Sequence, residues 1–168
     1  AEPVRTVTYN GFKNGEDDSV IYGLVISAPS GSTASAGTHS ITPSGALAAN
    51  YDISFASGTL TVDKASLIVT ANDDAKFLTQ PDPATFQGVI YSGFKYGQVS
   101  TDSGVIGGTL AVTRSNVATN LAGSYSEVLV PYGLSSSNYD FDYRRGDLTI
   151  VGSDQLLVRI NDVTDTYG

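Results

Sequence analysis

Arg145-Gly146-Asp147 is the short stretch with the sharpest chemical reading. At a turn tip, Gly would place the Arg and Asp on opposite sides. The carboxylate could then complete a metal ion on an integrin-type receptor while the guanidinium enters an acidic pocket. A surface hairpin needing Gly for positive φ, with charged neighbours keeping an edge soluble, accounts for the same residues. Tyr96 and Tyr132 are candidates for stacking on pyranose faces, the alternative being rings that pack a loop. Glu16-Asp17-Asp18 and Asp73-Asp74 invite calcium, which needs six to eight converging oxygens. Neither has the Asp-x-Asp-x-Asp-Gly spacing of a self-contained loop. Asn72-Asp73 would stand near a domain junction, where an interdomain calcium is the metal expectation and turn chemistry the competing one. No metal ligand set is assigned and no cofactor is expected.

No catalytic residue is assigned, and the chain is read as a non-enzyme. His39 is the single histidine, so a Ser-His-Asp arrangement would have to use it. It aligns with Tyr125 in an internal repeat, at a position that wants a ring on a sheet face. A glycosidase needs two carboxylates about 5–10 Å apart across a cleft. Asp52 and Asp140 instead fall on outward positions of alternating strands.

The elements that would carry these residues occur twice. Asn50–Asp73 (NYDISFASGTLTVDKASLIVTAND) returns as Asn138–Asp162 (NYDFDYRRGDLTIVGSDQLLVRIND). Tyr9-Asn10-Gly11-Phe12-Lys13 matches Tyr91-Ser92-Gly93-Phe94-Lys95, and Ala36–Ser40 matches Ala122–Ser126. Pro43 and Gly45 match Pro131 and Gly133. A fixed repeat with small changes of offset is the mark of an array whose insertions sit in loops, bulges and linkers. Tyr51, Ile53 and Phe55 alternate with polar residues, as do Tyr139, Phe141 and Tyr143, and each set predicts a strand. Gly58 and Gly146 separate these from Thr59–Val62 and Asp147–Ile150, which predicts two hairpins. Leu24 with Ile26, and Leu110 with Val112, predict an earlier strand in each copy. The stretch before Pro131 is two residues longer than that before Pro43, and Glu127 interrupts its alternation, which predicts a β-bulge.

Composition agrees. Tyr outnumbers Phe ten to six, Gly reaches 18, and Cys, Met and Trp are absent, which is a turn-rich β composition. Nine basic against 17 acidic residues leave a net charge of −8, which disfavours nucleic acid and anionic membrane as partners. Without cysteine there is no disulfide frame and no thiolate zinc site. No apolar run long enough to span a bilayer occurs, so no membrane insertion is expected. AEPVRTVTYNGF lacks a basic end followed by an apolar core, and so does not read as a signal peptide.

The domain reading is a first repeat over 1–63 lacking its opening strand, a second over 64–151, and a linker with the opening strand of a third over 152–168. Leu156–Gly168 would either fold back on the second repeat or stand as an edge seeking a partner, including the first repeat of another molecule. The joints Asp63-Lys64-Ala65 and Val151-Gly152-Ser153-Asp154 are short, which favours a semi-rigid array.

The blocks AGTHSITPSG…NYDISFASGTLTVDKASLIVTAND, AGSYSEV…NYDFDYRRGDLTI and INDVTDTYG resemble the MBG-type repeats of bacterial surface adhesins and the related YDG/YGX repeats. Phe77-Leu78-Thr79, where Thr166-Tyr167-Gly168 keeps the family form, and the RRGD stretch depart from it. Such modules occur in tandem in filamentous-haemagglutinin-like exoproteins of two-partner secretion, including biofilm adhesins controlled by cyclic-di-GMP. The resemblance implies an extracellular, cell-surface stalk or spacer whose partners are neighbouring repeats of the same long chain, with exopolysaccharide or a host receptor as further partners. The fold expected is all-β: tandem immunoglobulin-like β-sandwich domains, with a β-grasp arrangement as the alternative topology.

Overall fold

The computed structural model describes residues 3–30 and 34–158. The chain divides into two compact units, Ala1–Lys64 and Ala65–Gly168. In unit 1, β1 (Val25–Ser27), β2 (Gly37–Ser44) and β3 (Gly58–Val62) form one antiparallel sheet in the order β1-β2-β3. Unit 2 holds β4 (Ala65–Ala71), β5 (Asp74–Phe77), β6 (Val89–Ser92), β7 (Gly107–Arg114), β8 (Gly123–Ser135), β9 (Tyr139–Arg144) and β10 (Gly146–Val151). The only helical element among the described residues is a 3-10 turn at Asp18–Val20.

Unit 2 is an all-β, immunoglobulin-like sandwich of a three-stranded sheet, β6-β4-β9, and a four-stranded sheet, β5-β10-β8-β7. β8 packs on both β4 and β9 of the other sheet. Alternation builds the core, since period-two patterning sends every second residue to one face. Leu67, Val69 and Ala71 of β4 point inward with Gly146, Leu148 and Ile150 of β10. Val112 and Leu129 complete the main cluster, and Leu67, Val105 and Tyr139 form a second. Each fully buried aliphatic side chain contributes about 1.5–3 kcal/mol. The predicted bulge is present: Glu127 has φ 52°, and the β8–β10 register slips between Gly146 and Leu148.

The hairpin predicted around Gly146 is corrected by the structure. β9 and β10 lie in different sheets, joined by Arg145 alone. β4 and β5 make the same passage one strand over, through Asn72-Asp73. The two crossing chains run side by side and parallel, Ala65↔Tyr139 through Thr70↔Arg144 in one sheet and Asp74↔Leu148 through Phe77↔Val151 in the other. The residues around Gly146 therefore redirect a strand instead of reversing it.

Unit 1 repeats only part of this plan. Its β2–β3 ladder, Gly37↔Val62 through Ile41↔Gly58, corresponds to β8–β10 without the bulge. Tyr51–Phe55 and its hairpin around Gly58 are a second correction, because residues 51–57 form no strand. Residues 7–10, which match β6, form none either. In unit 2 the matching segments flank β4, and a central strand supplies the hydrogen-bond partners of both neighbours. Among the described residues of unit 1 there is no counterpart of β4, so both flanking segments lack a ladder. Ala46 is the one buried hydrophobic residue among the described residues of unit 1, whereas Leu60 and Val62, matching the buried Leu148 and Ile150, are half-exposed.

Candidate functional site

Arg145-Gly146-Asp147 forms the second strand crossing. Gly146 is buried, and a Cβ there would meet Ala71 O at 2.6 Å and Asn72 O at 2.9 Å, so the close approach of β4 demands glycine. Asp147 donates its backbone N–H to Asp73 Oδ1 at 2.6 Å. Its own Oδ1 accepts from Glu127 N at 2.8 Å and Ser126 Oγ at 3.0 Å. This carboxylate thus secures the bulge that unit 1 lacks, where Thr59 stands in its place. Arg145 reaches Glu127 O at 3.4 Å. The triplet stitches the crossing to β4 and β8; it is not the tip of a projecting turn. Asn72 Nδ2 donates to Gln87 O at 2.9 Å, so the recurrent Asn-Asp pair anchors the first crossing in the same way.

The matching region of unit 1 is an open slot of about 910 Å³. Its sides are residues 3–12 and 51–60, and its floor includes Leu24, Ile26, Ile41 and Pro43. In unit 2 the counterparts of residues 7–10 and 51–56, β6 and β9, flank β4. Gly93 makes the point from the other side: a Cβ on it would lie 3.1 Å from Ser66 O in β4, yet its counterpart Gly11 has nothing within 4 Å. The same contrast separates Gly146 from Gly58, whose nearest atom is Ile41 Cβ at 3.7 Å.

Aromatic residues brace the same turn in both units. Tyr139 OH accepts from Lys95 N at 2.9 Å and donates to Gln98 Oε1 at 2.6 Å. Tyr51 OH accepts from Lys13 N at 3.0 Å and donates to Glu16 Oε2. That hydrogen bond to the Glu16 carboxylate is the main reason the Tyr51 phenol titrates above its ordinary value. Phe12 meets Tyr51 edge-on with ring centres 5.8 Å apart, and Phe94 meets Tyr139 at 5.8 Å. His39 is a framework residue: its Nε2 donates to Ser35 O at 2.7 Å, as Tyr125 OH donates to Leu121 O at 2.9 Å in the matching place.

The acidic groups are spread among separate tasks. Glu16 holds Tyr51, and Asp17 caps the 3-10 turn by accepting from Ser19 N at 3.0 Å. Among the described residues no group of three or more His, Asp or Glu converges as a metal site. Tyr96 and Tyr132 stand on different elements. Tyr132 lies on β8 opposite Ala111. Tyr96 follows β6 and is 71 % exposed. It holds φ 55° where Asn14 holds 56° in unit 1.

One cluster was not foreseen from the sequence. Lys76 and Arg114, only 6 % and 7 % exposed, converge on Asp82. Lys76 Nζ lies 2.6 Å from Asp82 Oδ1, and Arg114 Nε lies 3.0 Å from Asp82 Oδ2. Gln80 O and Thr119 O take further hydrogen bonds from the two cations at 2.8 Å each. Burial opposes the charged carboxylate, but the two cations prevail and hold Asp82 below the usual 3.8. The arrangement pins the loop after β5 to β7. It satisfies every charge internally, which is a structural role.

A β unit that occurs in two successive copies, with matched tyrosines bracing the same turn in each, defines a tandem repeat. The family model of the MBG domain (YGX type) matches residues 1–61 and again 67–149, and the chain belongs to that family. No curated protein and no solved structure matches the chain. No helix among the described residues is long and apolar enough to cross a membrane.

Proposed function

We propose that this chain is a load-bearing stalk or spacer segment of a secreted bacterial surface adhesin, supporting cohesion between cells or with the matrix of a biofilm. The observation carrying this reading is the parallel pairing of the first two strands of unit 2 with its last two, β4 with β9 and β5 with β10. β4 enters at Ala65 and β10 leaves at Val151, and the β4–β5 chain lies directly beside the β9–β10 chain in the same direction. Tension applied through the two ends would draw these neighbours past one another along their length. All the hydrogen bonds between them would then share the load, whereas a terminal hairpin would open one bond at a time. Membership of the MBG family is compatible with this role. The internal use of the Arg-Gly-Asp residues also fits scaffolding better than receptor display.

Single-molecule stretching of the full chain, held at its two ends, tests the reading. Unit 2 should resist and then release about 300 Å of contour length in one step, given about 3.5 Å per extended residue. Gradual extension at the low forces of a peeling hairpin would remove the load-bearing role.

Tyr96 favours a second reading, in which unit 2 also stacks on polysaccharide. A bulky side chain at positive φ is held at a conformational cost. It stands exposed where the other unit uses Asn14, so the ring is not needed by the turn.

A further inference from the structure

We infer that β7 of unit 2 is an interaction edge that pairs antiparallel with β7 of a second copy of this chain, joining two sheets across a two-fold axis at Ala111. This inference goes beyond the stalk reading and does not depend on it. A strand at a sheet margin offers unpaired N–H and C=O groups, and such margins are ordinarily guarded by charge, shortness or cover. Unit 2 has four of them, β5 and β7 in one sheet and β6 and β9 in the other. β5 and β6 are four residues each, and β9 carries Asp140, Asp142 and Arg144 along its length. β7 differs. It is eight residues long and uncharged from Gly107 to Thr113, and its Arg114 side chain is turned inward onto Asp82. Its guard is the bulge between Gly108 and Ala111, beyond which the ladder with β8 runs regularly to Arg114.

The backbone sets which groups face outward. Ser115 donates its N–H to Val128 O, so Thr113 and Ala111, in the same phase, bond to β8. Leu110 and Val112 therefore turn their N–H and C=O groups to the open side. The side chains name the occupant. Thr109-Leu110-Ala111-Val112-Thr113 reads nearly alike in both directions. Pairing about Ala111 sets Leu110 opposite Val112 of the second copy, where the two exchange both hydrogen bonds, and the two-fold repeats the exchange. It also sets Thr109 against Thr113, a favourable cross-strand pair, and Ala111 against Ala111. Ala111 lies opposite Tyr132 of β8, which is 47 % exposed. In the joined sheet two small alanines would lie between two tyrosines on one face, giving each ring an apolar shelf. A chain of net charge −8 repels its own copies over most of its surface, and at this uncharged margin close approach costs least.

Charge exchange at Ala111 provides the test. The matched position in unit 1 holds Val25, 57 % exposed, so the site accommodates a larger side chain. Sedimentation equilibrium of the full chain over about 10 μM to 1 mM should show a monomer passing to a dimer and no further, since a two-fold contact closes on itself. Ala111→Lys and Ala111→Glu should each weaken dimerisation at least about 10-fold, because like charges then meet across the axis. An equimolar mixture of the two variants should dimerise again. Ala111→Cys offers a second measurement, because the sequence has no other thiol. Residues paired in this way have Cα atoms about 4.5 Å apart, within disulfide reach. Mild oxidation should therefore link two copies of the Ala111→Cys chain far faster than two copies of a Thr113→Cys chain. A parent chain that stays monomeric throughout the range would overturn the inference. So would association indifferent to both charged variants, a mixture that stays monomeric, or equal crosslinking by the two cysteine variants.

Discussion

Units 1 and 2 start from the same residues and end with different interiors. Tyr51 and Tyr139 make equivalent pairs of hydrogen bonds, and the Phe12 and Phe94 edges meet them at the same separation. Yet Leu148 and Ile150 are sealed while Leu60 and Val62 remain half-open. The difference is one strand. β4 supplies Leu67, Val69 and Ala71 to the core and hydrogen-bond partners to both β6 and β9. Side-chain bracing of a turn is therefore local and survives without β4, whereas ladder and core are collective and do not. In a small β domain the central strand contributes through both of its edges and one face, so its loss is felt by segments distant in sequence.

Substitutions at matched positions put this comparison at risk. Leu148→Ala should cost unit 2 about 3–5 kcal/mol, because it opens a cavity in a sealed core. Leu60→Ala should cost unit 1 under about 1 kcal/mol, as read by urea denaturation. Similar losses would mean the two cores are equally formed. Next in size is Asp82→Asn, which leaves Lys76 and Arg114 without their anion and should cost about 2–3 kcal/mol. Its pH signature has a definite sign. The folded-state pKa is lowered, so the stabilisation is present above the unfolded value of 3.8 and disappears as pH falls through the folded value. The gap between the parent chain and the Asp82→Asn variant in stability of unit 2 should therefore begin to narrow below about pH 3.8 and close only once the pH is below the lowered folded-state value. A gap that does not narrow at all as the pH falls below 3.8 would locate the effect elsewhere. The smallest effect is expected from Tyr96→Asn, which installs the unit 1 residue and should leave stability unchanged or raise it by about 0.5–1 kcal/mol. Loss of oligosaccharide binding in that variant, measured by calorimetry, would assign the exposed ring to a ligand. A loss of stability would return Tyr96 to the framework.

Much of this was legible because a repeat acts as its own control. The insertion before Pro131 announced the bulge at Glu127, and the alignment of His39 with Tyr125 placed the histidine in the framework. What alternation does not encode is the partner of a strand. Tyr139–Tyr143 and Asp147–Ile150 have the same period whether the chain reverses at Gly146 or passes into the opposite sheet. The outcome depends on β4, more than 70 residues away. Tyr51–Phe55 carries the pattern of a strand and lacks the neighbour that would make it one. The Lys76–Asp82–Arg114 cluster is not marked by the repeat for another reason: Lys76 and Asp82 have no matching positions in residues 1–64, and Arg114 matches Ala28, which carries no charge. The available signal was Lys76 on an inward position of Asp74-Ala75-Lys76-Phe77, where an apolar residue would otherwise be expected.

The doubled passage at Asn72-Asp73 and Arg145 has a dynamic consequence. Because two adjacent segments each belong to both layers, neither layer can separate while the other stays intact. Amides of β6 and β7, at the outer margins of different layers, should then share one slow opening event in hydrogen exchange, with unit 2 losing its protection as a single body.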